Sequence, residues 1–208
     1  MLIPVKQGIM RWETPDPEFD WIMVGHLLIA DGRVVIVDPP FVPKLIEDIE
    51  NVGDPALVIL TTADHTRGAK YLSQKLGLDL FMPRQKPARY LNPEKMLECK
   101  DISKFKYYDE NTSFPVNLKP LRLSFSGKDG SLLLDEMALL TQNNEIIVGD
   151  IASGSQDGKI LSGEESFTKT PDKVYSKACF GIINNVIISN KVESLIASHG
   201  QDILNLAN

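Results

Sequence analysis

The 208-residue sequence predicts an α/β fold, a four-layer αβ/βα sandwich in which two mixed sheets lie face to face with helices outside. Two observations carry that reading. Apolar strands and amphipathic helices alternate along the first half, which implies layers of sheet and helix. The second half repeats the theme, with a run of strands, then a helix, then a strand. No linker or low-complexity stretch separates the halves, so residues 1–208 are expected to form a single domain.

Each element has a local reason. Leu2–Val5 and Ile9–Trp12 are short and β-compatible. Trp21–Ala30 and Arg33–Val37 flank Asp31-Gly32, and a two-residue Asp-Gly link between apolar runs is a strong hairpin signal. Asp38-Pro39-Pro40 stops the second strand, because proline cannot donate to a ladder. Leu45, Ile46 and Ile49 fall at helical spacing, and Leu57–Thr61 reads as a strand buried on both faces. Ala69, Leu72 and Leu76 line a helix closed by Gly77, and Leu80–Met82 is a further strand. Pro83–Asn92 reads as a loop or short helix. Leu118–Phe125, Leu132–Thr141 and Glu145–Val148 are consecutive strands, with turns at Lys128-Asp129-Gly130 and Asn143-Asn144, which suggests antiparallel pairing. After Pro171 a long helix is expected, with Val174, Ala178, Ile182 and Val186 recurring every four residues. Val192–Ala197 is the last strand, and Gln201–Ala207 a last short helix.

Composition narrows the function classes. Hydrophobic residues are 43% and charged residues 24%, ordinary for a soluble globular chain. A net charge of −6 argues against nucleic acid or an acidic membrane face as partner, so a small-molecule substrate or ligand is expected, with the oligomeric state left open. Met1–Arg11 carries no signal-peptide core, and the longest apolar run, Trp21–Ala30, falls far short of the ~20 residues that span a bilayer. A cytoplasmic location is the resulting expectation. Cys99 and Cys179 form no Cys-x-x-Cys pattern, so neither a disulfide framework nor a thiolate zinc cluster organises the fold. Ala152-Ser153-Gly154-Ser155 lacks the lysine of a phosphate-binding loop.

Four expected strands end in polar residues: Val37-Asp38, Thr61-Thr62-Ala63-Asp64-His65, Val148-Gly149-Asp150 and Ala197-Ser198-His199. Ligand sites in α/β sheets gather at strand ends, and imidazole with carboxylate suits zinc, manganese or iron. The same residues also fit plainer roles: Asp64 as a helix cap, and Asp64 or Asp150 as partner of His65 or His199. His26 sits inside an apolar strand and reads as a hydrogen-bonded hairpin residue. Arg84, Lys86, Arg89 and Tyr90 are either a solvated loop or the rim of an anion-binding cleft.

In this order the four segments resemble the metallo-β-lactamase fold superfamily, in its glyoxalase II-like branch. His26–Asp38 resembles the opening hairpin, Val58–Ala69 the strand, metal motif and helix start, Glu145–Asp150 the strand with the bridging aspartate, and Leu195–Gly200 the closing strand with the final histidine. The family motif Thr-His-x-His-x-Asp-His departs here to Thr61-Thr62-Ala63-Asp64-His65. A gapped reading aligns Asp64-His65 with its last two residues. An ungapped one puts Asp64 at the second histidine and Arg67 at the last. The turn Ser126–Ser131 keeps Gly-Ser but lacks the family's next histidine.

The resemblance implies a two-metal site of five histidines and two aspartates. This chain has three histidines, so that site cannot be complete. What survives is the second metal's set: Asp64, His65, Asp150 and His199. Asp38 supports the site in the family. The resemblance therefore implies hydrolysis of a small ester or thioester with one divalent ion (zinc, manganese or iron) and an activated water, with Asp64 as the catalytic carboxylate. The alternative is a non-catalytic ligand- or protein-binding member with no metal.

Overall fold

The computed structural model describes residues 2–17, 21–89, 91–92, 94–168 and 170–206. Strands β1 (Ile3–Lys6), β2 (Ile9–Pro15), β3 (Ile22–Ala30) and β4 (Arg33–Val37) form an antiparallel meander. Asp31 and Gly32 turn the β3–β4 hairpin with φ of 52° and 74°, the left-handed pair that a tight Asp-Gly turn needs. Then α1 (Leu45–Val52), β5 (Pro55–Ile59), α2 (Ala69–Leu76) and β6 (Asp79–Pro83) follow, and β5 and β6 extend the sheet in parallel. A single turn α3 (Lys95–Glu98) precedes β7 (Phe105–Tyr108), which completes a seven-stranded sheet in chain order.

The second sheet holds β8 (Leu118–Ser126), β9 (Leu132–Thr141) and β10 (Glu145–Val148). A hairpin of β11 (Ala152–Gly154) and β12 (Ile160–Ser162) follows, then α4 (Gly163–Phe167), α5 (Lys173–Asn190), β13 (Ser194–Ala197) and β14 (Ile203–Leu204). The order across this sheet is β14-β13-β10-β9-β8, with β10 and β13 parallel.

Strand alternation builds the layers. Val34 and Ile36 face α1 and α2 in one core with Leu45, Ile49 and Leu72. Val35 and Val37 face the other way, meeting Met137, Leu139, Ile147 and Ile196 of the second sheet. Ala138, Ile146, Val148 and Leu195 turn outward onto Tyr175, Cys179 and Ile183 of α5. Three cores between four layers make the expected αβ/βα sandwich. Among the described residues, no helix is long and apolar enough to cross a membrane.

Three local expectations need correction. In α5 the buried stripe is Tyr175, Cys179 and Ile183, one residue along from the expected row, and Val174 is 70% exposed. The apolar stripe is broad, since Ile182, Val186 and Ile187 also touch the core, and the expected row followed its edge. The tail after His199 forms strand β14 rather than a helix, because Ile203 and Leu204 pair with Leu195 and Ser194 at the open edge of β13. Ala207 lies outside the described residues. Strand β7 was not expected at all, and its pairing with β6 depends on a partner far away in sequence.

Candidate metal centre

The parallel register of β10 and β13 assembles one side of the site. Val148 pairs with Ala197, so Asp150 and His199, each two residues further on, arrive together beyond the strand ends. Glycines allow Asp150 its place. A Cβ at Gly149 would stand 2.6 Å from Thr61 Oγ1, and one at Gly163 would stand 1.6 Å from the Asp150 carbonyl oxygen. Buried Glu136 accepts from the backbone N–H of Asp150 at 2.7 Å.

The other side is the 3-10 turn Ala63–His65 that follows β5. Thr62 caps it by accepting from the Asp64 N–H, and Gln85 Oε1 accepts from the Ala63 N–H at 2.6 Å. Successive residues in such a turn point ~120° apart. His65 therefore points inward while Asp64 turns away, its carboxylate accepting from the backbone N–H of Asn92 at 3.2 Å.

Three ligand atoms converge. His65 Nε2 and His199 Nε2 each lie 3.2 Å from Asp150 Oδ1, and 3.2 Å from one another. Behind them, His65 Nδ1 lies 3.0 Å from Asp38 Oδ2, and His199 Nδ1 donates to the Ile22 carbonyl at 3.3 Å. Both imidazoles thus turn Nδ1 outward and Nε2 inward, as metal-ligating histidines do when an outer acceptor fixes the ring. Asp38 is itself held at φ 46° and accepts from the Thr61 N–H at 2.8 Å and the Ser198 hydroxyl at 2.6 Å. Such positive-φ strain in a non-glycine residue concentrates at functional sites.

The donor set fits one divalent ion. A tetrahedral site with bonds of ~2.0–2.1 Å has ligand atoms ~3.3 Å apart. It does not fit two ions, because the remaining histidine, His26, is elsewhere. Asp64 is not among the three converging atoms, which departs from the expected four-ligand set.

Electrostatics follow the geometry. Burial and the Arg67 charge press His65 toward neutral, but Asp38 and Asp150 outweigh them and raise its pKa to about 9. Burial opposes ionisation of Asp150, yet His65 and His199 hold it well below the usual carboxylate range. Burial lowers His199. Burial and the charge of Asp150 raise Asp64 to about 6.

Other expected residues separate from this centre. His26 is fully buried, and its Nε2 lies 3.6 Å from Asp202 Oδ1, too long for a hydrogen bond. It corrects the expectation of a hydrogen-bonded hairpin residue. Arg84 stacks over Tyr107 at 5.2 Å, Arg89 pairs with Asp172 at 2.9 Å, and Lys86 is tied by its backbone N–H to Asp135 at 2.7 Å. Their partners lie on different elements, and Tyr90 lies outside the described residues. The residue of this loop that serves the centre is Gln85, a neutral side chain with no sequence signal. Cys99 and Cys179 are buried free thiols, raised by burial to about 11 and about 12.

No family model matches the sequence. The DIM-1 metallo-β-lactamase exposed to ceftazidime superposes with a TM-score of 0.65 at 16% identity, over 100% of this chain and 91% of that one. The metallo-β-lactamase from Pontibacter korlensis gives 0.62 at 10% identity, over 97% of this chain and 92% of that one. The chain has the metallo-β-lactamase fold. The sequence likeness found is to a stretch of one curated protein: hydroxyacylglutathione hydrolase of Xanthomonas oryzae pv. oryzae (strain MAFF 311018) is 39% identical over 71 residues. That match takes in 32% of this chain and only 28% of the relative's length. In this chain the three ligand side chains follow the C-terminal ends of β5, β10 and β13.

Proposed function

We propose that this chain is a metal-dependent hydrolase of a small ester or thioester, working with one divalent ion held by His65, Asp150 and His199. The observation that carries the reading is the convergence of three ligand atoms 3.2 Å apart, with each imidazole anchored through Nδ1. A bound zinc, manganese or iron would polarise a substrate oxygen and lower the pKa of water from ~15.7 to ~7. Asp38 orients His65, and Ser198 and Thr61 orient Asp38. Asp64 precedes His65 in the turn and, raised to about 6, is a carboxylate at neutral pH; it is assigned the role of proton acceptor, which requires its side chain to rotate from the Asn92 N–H toward the centre.

A second reading, a non-catalytic binding member of the fold, is favoured by the buried guanidinium of Arg67 beside His199 and by the histidine count. One experiment separates the two. Protein purified without chelator or polyhistidine tag is assayed for metal content and for hydrolysis of a hydroxyacylglutathione thioester and a nitrophenyl ester. One metal per chain with hydrolysis that falls at least tenfold in Asp64→Asn supports the hydrolase. Metal-free protein that no added divalent ion activates selects the binding reading.

A further inference from the structure

Arg67 has no role in the mechanism above, yet it is fixed with unusual care. Its backbone is in the left-handed region at φ 29°, a conformation that a long side chain seldom adopts. The next residue is clamped: the Gly68 N–H donates to the Pro39 carbonyl at 2.8 Å, and a Cβ there would stand 2.9 Å from Phe41 N. The guanidinium is aimed inward. Nη1 donates to the Val24 carbonyl at 3.3 Å and lies 3.5 Å from the Asp38 carbonyl, while Nη2 donates to His199 Nε2 at 3.1 Å. Asp38, Asp150, Asp16 and Asp64 supply the surrounding negative charge.

We propose that Arg67 is a resident cation that competes with the divalent ion for His199 and so sets how tightly the site holds its metal. The inference rests on the single-metal reading and goes beyond it. Guanidinium can only donate, so the 3.1 Å contact uses the Nε2 lone pair of His199. That lone pair is also the one a metal needs, and it serves one partner at a time. Without a cation, His199 Nε2 and Asp150 Oδ1 would face each other at 3.2 Å as two acceptors. Arg67 relieves this in the metal-free protein, and it carries a positive charge that repels a dication at short range. Metal entry therefore requires the guanidinium to swing off His199 while its carbonyl contacts hold it nearby. The two alignments of this turn are reconciled on the same terms: His65 supplies the ligand, and Arg67 stands against the final histidine.

Zinc titration by calorimetry on the wild type, Arg67→Met and Arg67→Lys tests this. Arg67→Met removes the charge and the donor, and should bind zinc at least tenfold more tightly. Arg67→Lys keeps the charge and should stay closer to the wild type. Circular dichroism of the zinc-free variants establishes that they fold. A folded Arg67→Met with wild-type or weaker zinc affinity overturns the proposal and leaves the metal reading standing. Zinc binding by neither the wild type nor the folded variant overturns both. If Arg67→Met does not fold, the side-chain nitrogen resonances of Arg67 are followed while the wild type is titrated with zinc. They should shift in step with zinc occupancy, and signals unmoved at saturation count against the proposal.

Discussion

Among the described residues, two buried clusters combine imidazole, carboxylate and guanidinium, and one of them has the arrangement of a metal centre. In the first, His65, Asp150 and His199 bring three ligand atoms within 3.2 Å of one another. In the second, Arg11 Nη1 bonds Asp202 Oδ2 at 3.0 Å, the Ala197 N–H donates to Asp202 Oδ1 at 2.9 Å, and His26 stands back at 3.6 Å. The residue types are the same, but the balance differs. Each oxygen of Asp202 takes one donor, and the His26 ring stays too far back to join them at a shared point. Around Asp150 three ligand atoms crowd together, and in the metal-free protein the positive charge that holds them there comes from His65, raised to about 9, and from Arg67 on His199. Convergence of the ligand atoms, rather than the mere presence of histidine and aspartate, marks the site.

The largest expected effect breaks the second cluster. Arg11→Met leaves Asp202, 6% exposed, without its cation, and should cost about 3–5 kcal/mol in denaturant unfolding. Its zinc affinity should match the wild type. A zinc affinity that falls with Arg11 would mean that the two clusters act as one.

Next comes the metal itself. A ligand at one hundred times its dissociation constant stabilises by ~2.7 kcal/mol, which for a domain of this size raises the melting temperature by roughly 5–11 °C. His199→Ala should remove most of that zinc-induced shift. His26→Ala should keep it, whatever it does to baseline stability. Scanning calorimetry with and without zinc reads both, and an unshifted wild type would deny the first cluster its distinction.

The clusters should also differ in pH response. In the metal-free protein His65 titrates at about 9 against an ordinary 6.5. The stability this supplies is fully present below ~6.5 and is lost as pH rises through ~9. Glu136, pushed up to about 8 mainly by burial and the Asp150 charge, has the same sign. With a chelator present, melting temperature should therefore fall between pH 6.5 and 9. Bound zinc takes the place of the His65 proton, so the decline should flatten when zinc is added. An equal decline with and without zinc would remove His65 from the metal.

How much of this was legible in the sequence depends on how far each feature reaches along the chain. The Asp31-Gly32 hairpin and the left-handed cap at Gly77 are local, and both stand where expected. Asp150 and His199 follow apolar strands, so their place at a sheet edge was readable; their meeting depends on the β10–β13 register, which is not local. The Thr61–Arg67 turn allowed two alignments because spacing does not say which residue of a 3-10 turn faces inward. Arg11 and Asp202, 191 positions apart, left no signal at all. Strand β14 was hidden for a similar reason: a two-residue strand is decided by the free edge beside it.

The smallest effect gives the cleanest contrast, since it makes one substitution at two buried serines. Ser198 Oγ donates to Asp38 Oδ2 at 2.6 Å and helps hold the carboxylate that orients His65. Ser153 is equally buried, packs beside the backbone at Gly200, and its hydroxyl has no protein partner among the described residues. Losing a hydrogen bond to a charged group costs about 1.5–3 kcal/mol, whereas deleting an unsatisfied buried hydroxyl is close to neutral. Ser198→Ala should therefore lower stability by that amount and weaken zinc binding by roughly 10-fold or more, as losses of a ligand's outer hydrogen bonds do. Ser153→Ala should leave zinc affinity alone and hold or slightly raise stability. Denaturant unfolding and zinc calorimetry on the pair provide the comparison. If both serines behaved alike, Asp38 would not owe its hold on His65 to Ser198, and the ordering of the first cluster would have to come from Thr61 alone.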